Sequence, residues 1–316
     1  LQVVAQWPAL RSIGLLRRPR FDPGHPDVRR ALRRLLPLTL GLGVYQLNVM
    51  LSRLFASYLP EGSQSYLYYG QRLVEIPQGM FALALASATL PALSAMHARG
   101  DHAALVTTFQ RSLRQAIFVA LPMSAMLVAL AEPIVAVLFG RGAFGPADIA
   151  GTAHSLAWQG AGVVAIAAVR VAIPLFYARG DTKTPVAASA ANLVAFAGLA
   201  WFLRAPLGHV GIAVAISAAG VVQVVVLLVA LRSSVGPLGL WAVVASSARL
   251  SAATAIAAGV GLAICQLTTF GRGDLTAVAV LTAALTAAAI AYLVACRVLR
   301  APELEDVIAA LRRRTA

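Results

Sequence analysis

Tyr68-Tyr69-Gly70-Gln71-Arg72-Leu73-Val74-Glu75-Ile76-Pro77-Gln78-Gly79 opens a run that is otherwise apolar as far as Leu93. Residues 66–93 are enough to cross a hydrocarbon core of roughly 30 Å, which takes about 20 helical residues at 1.5 Å each. An arginine and a glutamate therefore stand inside a membrane span. Charges near the centre of a span cost about 2.5–3.5 kcal/mol on insertion scales, so such residues turn toward a wet cavity or a partner. Arg72 and Glu75 are three residues apart and share one helix face. They are either a self-neutralising pair tolerated near the interface or a functional pair facing a cavity, and charge inside a span favours the second. Pro77 and Gly79 follow at once and are expected to bend or loosen the helix, as happens where a span lines a cavity.

Composition sets the class around that stretch. The 316 residues are 59% hydrophobic and 12% charged, with a mean hydropathy of +0.79. Soluble domains carry about 25% charged residues, so the chain reads as a polytopic membrane protein. Its net charge of +14 does not indicate nucleic acid, because the arginines lie between apolar runs and no basic module with interleaved aromatics is present. Cys265 and Cys296 fall inside late apolar runs with no His or acidic neighbour at ligand spacing, and read as small core residues. There is no glycine-rich loop leading into Lys-Ser or Lys-Thr, no Ser-His-Asp arrangement, and no metal spacing around Asp101-His102 or His154. Neither enzyme chemistry nor a metal or cofactor is expected.

Eight spans can be placed, at about 37–58, 66–93, 113–139, 149–177, 184–203, 208–231, 245–268 and 275–298. The third and fourth exceed what a bilayer needs, which implies tilt or extension past it. Residues 1–36 read as the end of a preceding span followed by a basic linker, with eight arginines between positions 11 and 34 and an amphipathic approach to the next helix over 27–36. If that linker is cytosolic, 20 basic residues fall on the cytosolic side and only Arg141, Arg204 and Arg272 on the other. The positive-inside rule then puts the C-terminus in the cytosol. Residues 101–114 read as an amphipathic helix lying on the cytosolic face before the third span, and 302–314 as an amphipathic tail with acids early and arginines late.

Arg-Gly-Asp occurs at Arg99, Arg179 and Arg272, each time as a helix stop and turn. The first two stand 80 residues apart at cytosolic helix ends and hint at a two-span repeat. Arg53, Arg72 and Arg170 remain inside or at the edge of spans. Arg53 either snorkels to the outer interface or faces a cavity, and Arg170 either snorkels inward or does the same. Three intramembrane arginines with one acid nearby leave a positive surface, which suits an anionic substrate. Guanidinium forks match phosphate oxygens well.

The succession from Tyr68 to Gly79, then Leu90-Pro91-Ala92-Leu93-Ser94, then Phe176-Tyr177-Ala178-Arg179-Gly180-Asp181-Thr182-Lys183-Thr184-Pro185 resembles the MurJ (MviN) lipid II flippases. These belong to the multidrug/oligosaccharidyl-lipid/polysaccharide (MOP) exporter superfamily, whose folds are MATE-like. The resemblance implies an all-α transmembrane bundle in which six further spans precede Leu1. Residues 37–231 would form the second six-helix lobe, 232–300 two additional helices that make a lipid-facing groove, and 301–316 a cytosolic tail. It implies flipping of lipid II, an undecaprenyl-pyrophosphate-linked peptidoglycan precursor, across the bacterial inner membrane by alternating access. The partners implied are lipid II, the lipid bilayer and the upstream lobe.

Carried over by the resemblance, Arg72 matches the family's cavity arginine, Glu75 the acid one turn on, Ser65 a cavity-facing position, and Arg170 a basic position in the fourth span. Gln71 departs from the acid common in relatives and leaves the cavity more positive. Some relatives bind sodium through acids in the first and fifth spans; Ser52 and residues 192–196 offer none. The competing readings are another exporter of the superfamily, for a polysaccharide lipid or a drug, and a non-transporting scaffold for cell-wall enzymes. A cation exporter would line its cavity with acids, and a scaffold would not need Arg72 within a span.

Overall fold

The computed structural model describes residues 11, 25–267 and 275–315; from Pro26 onward apolar runs separated by turn residues fold there into eleven described α-helices, and no strand occurs among the described residues. The helices are α1 (Pro26–Ala56), α2 (Ser63–Ala98), α3 (His102–Ala129), α4 (Ala131–Phe139), α5 (Pro146–Ala161), α6 (Val163–Ala178), α7 (Lys183–Leu207), α8 (His209–Val235), α9 (Trp241–Cys265), α10 (Leu275–Val298) and α11 (Pro302–Thr315). Residues 1–40 and 41–316 are two compact units. Helices α2 to α11 belong to the second unit, as do residues 41–56 of α1.

Six segments of the described residues are long and apolar enough to cross a membrane: α3, the pair α5 and α6 taken together, α7, α8, α9 and α10. They correspond to the third to eighth spans read from the sequence, and the chain is a multi-pass membrane protein. The first two expected spans fall in α1 and α2, whose side chains at 30–42 and 80–92 lie outside the described set. The Arg272 turn is also outside the described residues.

Two local expectations are corrected. Residues 102–114 do not form a separate surface helix, because α3 runs unbroken from His102 to Ala129. Their apolar side is already taken up in the core, where Leu105, Phe109 and Leu113 are buried. The third span is two helices that meet at Leu130, and the fourth is two that meet at Gly162. At Pro77 and Gly79, where bending or loosening is expected, α2 stays helical. A proline removes one intrahelical hydrogen bond and the bonds on either side carry the helix on.

The first two Arg-Gly-Asp turns share one geometry. Gly100 and Gly180 adopt φ of 71° and 73°, the left-handed region in which glycine carries no Cβ penalty. The N–H groups of Gly100 and Asp101 return to the carbonyls of His97 and Met96, and those of Gly180 and Asp181 to Tyr177 and Phe176. Each pair is a Schellman closure of the preceding helix. Each aspartate then starts the next helix. Asp101 Oδ1 accepts from Ala104 N at 2.9 Å. Asp181 Oδ1 accepts from the N–H groups of Lys183 and Thr184 at 3.0 Å each, and its Oδ2 from the Thr184 hydroxyl at 2.6 Å.

Lipid supplies no hydrophobic force between helices, so close approach rests on small residues. Leu250, Ala253, Ala257 and Gly261 of α9 meet Ala284, Ala288 and Tyr292 of α10 in buried contact, and the Tyr292 hydroxyl donates to the carbonyl of Phe118 in α3 at 2.6 Å. The α11 tail is tied down by Asp306, which takes both arms of Arg111 at 2.6 and 3.1 Å. Buried Glu303 accepts from the Ser246 hydroxyl at 2.6 Å. Cys265 and Cys296 are buried free thiols.

Candidate functional site: two adjoining chambers beside α2

The face of α2 that carries Arg72 and Glu75 is placed by its opposite face. Leu73 and Val74 are buried in the main core, and Gly70 lies against α5, where an added Cβ would stand 3.1 Å from Leu156 N and 3.2 Å from Gln159 Nε2. A side chain at position 70 would hold α2 off α5. With that side packed, residues 65, 68, 71, 72 and 75 face open space.

That space has two parts. The outer chamber, about 560 Å³, is lined by Ser65, Tyr68, Gln71, Arg72 and Glu75 of α2 and by Ser52 and Arg53 of α1. The inner chamber, about 330 Å³, is lined by Gln71, Glu75 and Gln78 of α2, Asn48 and Ser52 of α1, Gln159 of α5, Arg170 of α6, Ser189 and Asn192 of α7 and Gln223 of α8. Both include Val49, Ser52, Gln71 and Glu75, so they adjoin at the carboxylate. Every candidate read from the sequence lines one chamber or both.

Arg72 Nη1 donates to Glu75 Oε2 at 2.8 Å, and Gln71 Nε2 donates to Glu75 Oε1 at 3.3 Å. The Arg72 guanidinium also lies over the Tyr68 ring, 5.1 Å from its centroid, an attraction of cation and π face. The two charged side chains are 58% and 37% exposed. An open pair of that kind contributes about 0–1 kcal/mol, so Glu75 orients the guanidinium without consuming its hydrogen-bonding capacity. Arg53, in the last turn of α1, lines the same chamber, and its carbonyl accepts from Gln64 Nε2 at 3.3 Å.

Arg170 behaves differently. Its Nη1 donates to the Gln78 carbonyl at 2.7 Å and its Nη2 to Gln78 Oε1 at 3.2 Å. It neither snorkels to an interface nor presents an open fork; it ties α6 to α2 in the wall of the inner chamber.

Sequence reading missed Tyr68 as the platform beside Arg72, although four residues along a helix is the spacing at which such a contact is visible. It also missed Asn48, whose Nδ2 donates to Asn192 Oδ1 at 2.9 Å, and Gln223, which donates to Ser189 at 3.2 Å. Those partners lie 144 and 34 positions apart. No local pattern announces them.

A family model described as "Lipid II flippase MurJ" matches residues 1–281. Among curated relatives, the probable lipid II flippase MurJ of Vibrio cholerae is 36% identical over 218 residues, covering 68% of this chain and 41% of that protein. The lipid II flippase MurJ of Burkholderia cenocepacia is 32% identical over 219 residues, covering 68% of this chain and 42% of its own length. The chain thus spans about two fifths of the curated relatives it matches. Among solved structures, a lipid II flippase MurJ in an inward closed conformation superposes with a TM-score of 0.67 over 94% of this chain and 60% of that one, at 20% identity, which shows a shared fold.

Proposed function

The chain belongs to the lipid II flippase MurJ family, and on that premise we propose that it is the C-terminal portion of a lipid II flippase of the bacterial inner membrane. It is a transporter rather than an enzyme. Residues 37–231 serve as the second lobe, 232–300 as an additional helix pair and 301–316 as a cytosolic tail, with residues 1–36 linking to upstream spans. The substrate's pyrophosphate binds in the outer chamber, and its prenyl chain stays in lipid.

The observation that carries this reading is the convergence of Arg53 and Arg72, from two helices, on one chamber whose acid, among the described residues, is Glu75 alone. A guanidinium fork pairs with two phosphate oxygens at once. Arg72 is the principal ligand, aimed by Glu75 and Tyr68; Arg53 adds the second positive charge, and Ser65 and Gln71 add neutral hydrogen bonds. Arg170, already engaged by Gln78, sets the wall. Alternating access then moves the occupied chamber from one leaflet to the other.

The test is complementation of a strain depleted of its own flippase with the full-length protein, each variant being checked for membrane level. Arg72→Lys keeps the charge and loses the fork, so it should impair growth nearly as much as Arg72→Ala. Removing both charges, Arg72→Ala with Glu75→Ala, should not restore growth. A functional double-alanine protein would leave the pair as a self-neutralising structural feature and overturn the binding role.

A further inference from the structure

Arg204 is one of the three basic residues that the arginine distribution leaves on the outer side, and the transport reading gives it no part. Basic residues are scarce on that side of membrane proteins, so one that is built into the packing there calls for a reason. It stands in the last turn of α7. Its guanidinium lies over three aromatic rings at once: Cζ is 3.9 Å from the centroid of Trp201, 5.2 Å from that of Tyr58 and 5.8 Å from that of Phe55.

That cage is fixed from behind. Phe55 is buried with Phe196 and Ala200 of α7 and Ile212 of α8, its ring centroid 6.3 Å from those of Phe196 and Trp201. Core packing therefore sets where the guanidinium can lie. A guanidinium carries its five N–H donors in its own plane, so a ring stacked on its face attracts the charge without meeting a donor. Among the described residues Arg204 makes no side-chain hydrogen bond and no ion pair. The cage holds the charge and leaves the fork unspent.

Trp201 and Tyr58 are exposed, as are Phe202 and Leu207 beside them. Exposed tryptophan and tyrosine at the end of a span mark the level of the lipid headgroups, which is the depth of the lipid phosphates. We propose that Arg204, with Trp201 and Tyr58, binds the phosphate of an anionic phospholipid of the outer leaflet. The planar fork takes two phosphate oxygens, and the exposed rings lie against the glycerol and the upper acyl chain. A headgroup with its own ammonium is disfavoured, because it brings a second cation to rings that Arg204 already occupies. None of Arg204, Trp201 and Tyr58 lines either chamber, so the site is independent of what Arg72 binds; its leaflet follows from the arginine distribution.

The test uses the full-length protein with Trp201 as its only tryptophan, reconstituted in phosphatidylcholine bilayers. Quenching of Trp201 fluorescence by phosphatidylglycerol or phosphatidylethanolamine with brominated chains reports which lipid sits at the site. Phosphatidylglycerol should be preferred about fivefold, and Arg204→Gln should erase the preference. Arg141→Gln, which removes the same charge from the same side, should leave it within about twofold. A preference that survives Arg204→Gln overturns the site, and one lost equally with Arg141→Gln reduces it to diffuse surface charge, which overturns it too. Relief of the quenching by inorganic phosphate would make this a free-anion site, and relief by equimolar prenyl pyrophosphate a substrate site; either overturns the phospholipid assignment. If Arg204→Gln does not fold, Arg204→Lys decides: it keeps the charge without the plane, and an unchanged preference overturns the proposal.

Discussion

Arg170 Nη1 meets the backbone carbonyl of Gln78 at 2.7 Å, joining α6 to α2 across 92 positions of sequence. The same guanidinium reaches the Gln78 side chain at 3.2 Å. A hydrogen bond from a charged donor is worth about 1.5–3 kcal/mol, and the guanidinium is the donor in both. Arg170→Met is therefore expected to lower the thermal unfolding midpoint of the full-length protein in detergent. Gln78→Ala, which spares the shorter carbonyl contact, should cost about half as much. Equal losses would show that the backbone contact contributes nothing of its own.

The arginine distribution assigns sides to the loops, and the structure shows where to probe them. Gly62, Gly100 and Gly180 hold φ between 71° and 89°, so cysteines there would strain the turns. Glu61 and Ala143 on one side, and His102 and Lys183 on the other, are exposed neighbours. Glu61→Cys and Ala143→Cys should react with an impermeant thiol reagent added outside intact cells, while His102→Cys and Lys183→Cys should react only after permeabilisation. The reverse pattern would invert the topology and, with it, the leaflet from which the chambers load.

Tyr66 fills a slot between two glycines. Its hydroxyl donates to Asp148 Oδ1 at 3.0 Å, and its ring lies 5.1 Å from that of His209. A Cβ at Gly151 would stand 2.7 Å from the ring. Gly151→Ala is expected to destabilise by about 1–3 kcal/mol through overpacking. Tyr66→Phe should cost about 1.5–3 kcal/mol through the lost bond to the carboxylate. In combination with Tyr66→Ala, the Gly151→Ala penalty should disappear, because the crowding ring is gone. Simple additivity in that cycle would show that the glycine serves some other purpose.

Asp181 starts α7 just outside the membrane span. Burial pulls its pKa up, but the Thr184 hydroxyl, the N–H groups of Thr184 and Lys183, and the Arg179 charge outweigh burial and leave it below the ordinary value. A carboxylate with a depressed folded pKa stabilises the fold above the unfolded value of about 3.9, and that stabilisation is lost as the pH falls through the folded value. The gap in unfolding midpoint between the unaltered protein and Asp181→Asn should thus be constant from pH 7 to about pH 5 and close below about pH 4. A gap that does not narrow at all as the pH falls below about 4 would assign the effect to shape rather than charge.

Much of this architecture is legible locally. The composition and the length of the apolar runs placed the spans, because a bilayer demands about 20 apolar residues wherever a helix crosses it. Helical periodicity put Arg72 and Glu75 on one face, and they meet at 2.8 Å. Glycine followed by aspartate announced the stops at Arg99 and Arg179, since a left-handed closing residue and a side chain that caps the next helix are properties of a few adjacent residues. The motif around Arg72 carried the family.

What the tertiary structure decided is everything that depends on which helices are neighbours. No local rule says that Arg53 and Arg72 share a chamber, that Arg170 is taken up by a Gln78 carbonyl, or that six carboxamides from five helices face one space. Nor does hydropathy reveal the breaks at Leu130 and Gly162, because both halves of each span remain apolar. The reason is physical: between membrane helices the contacts are set by where backbones can approach, at Gly70 against Leu156 and at Gly162 against Ser217. A glycine in the sequence shows that such an approach is allowed, and only the packed bundle shows which helix makes it.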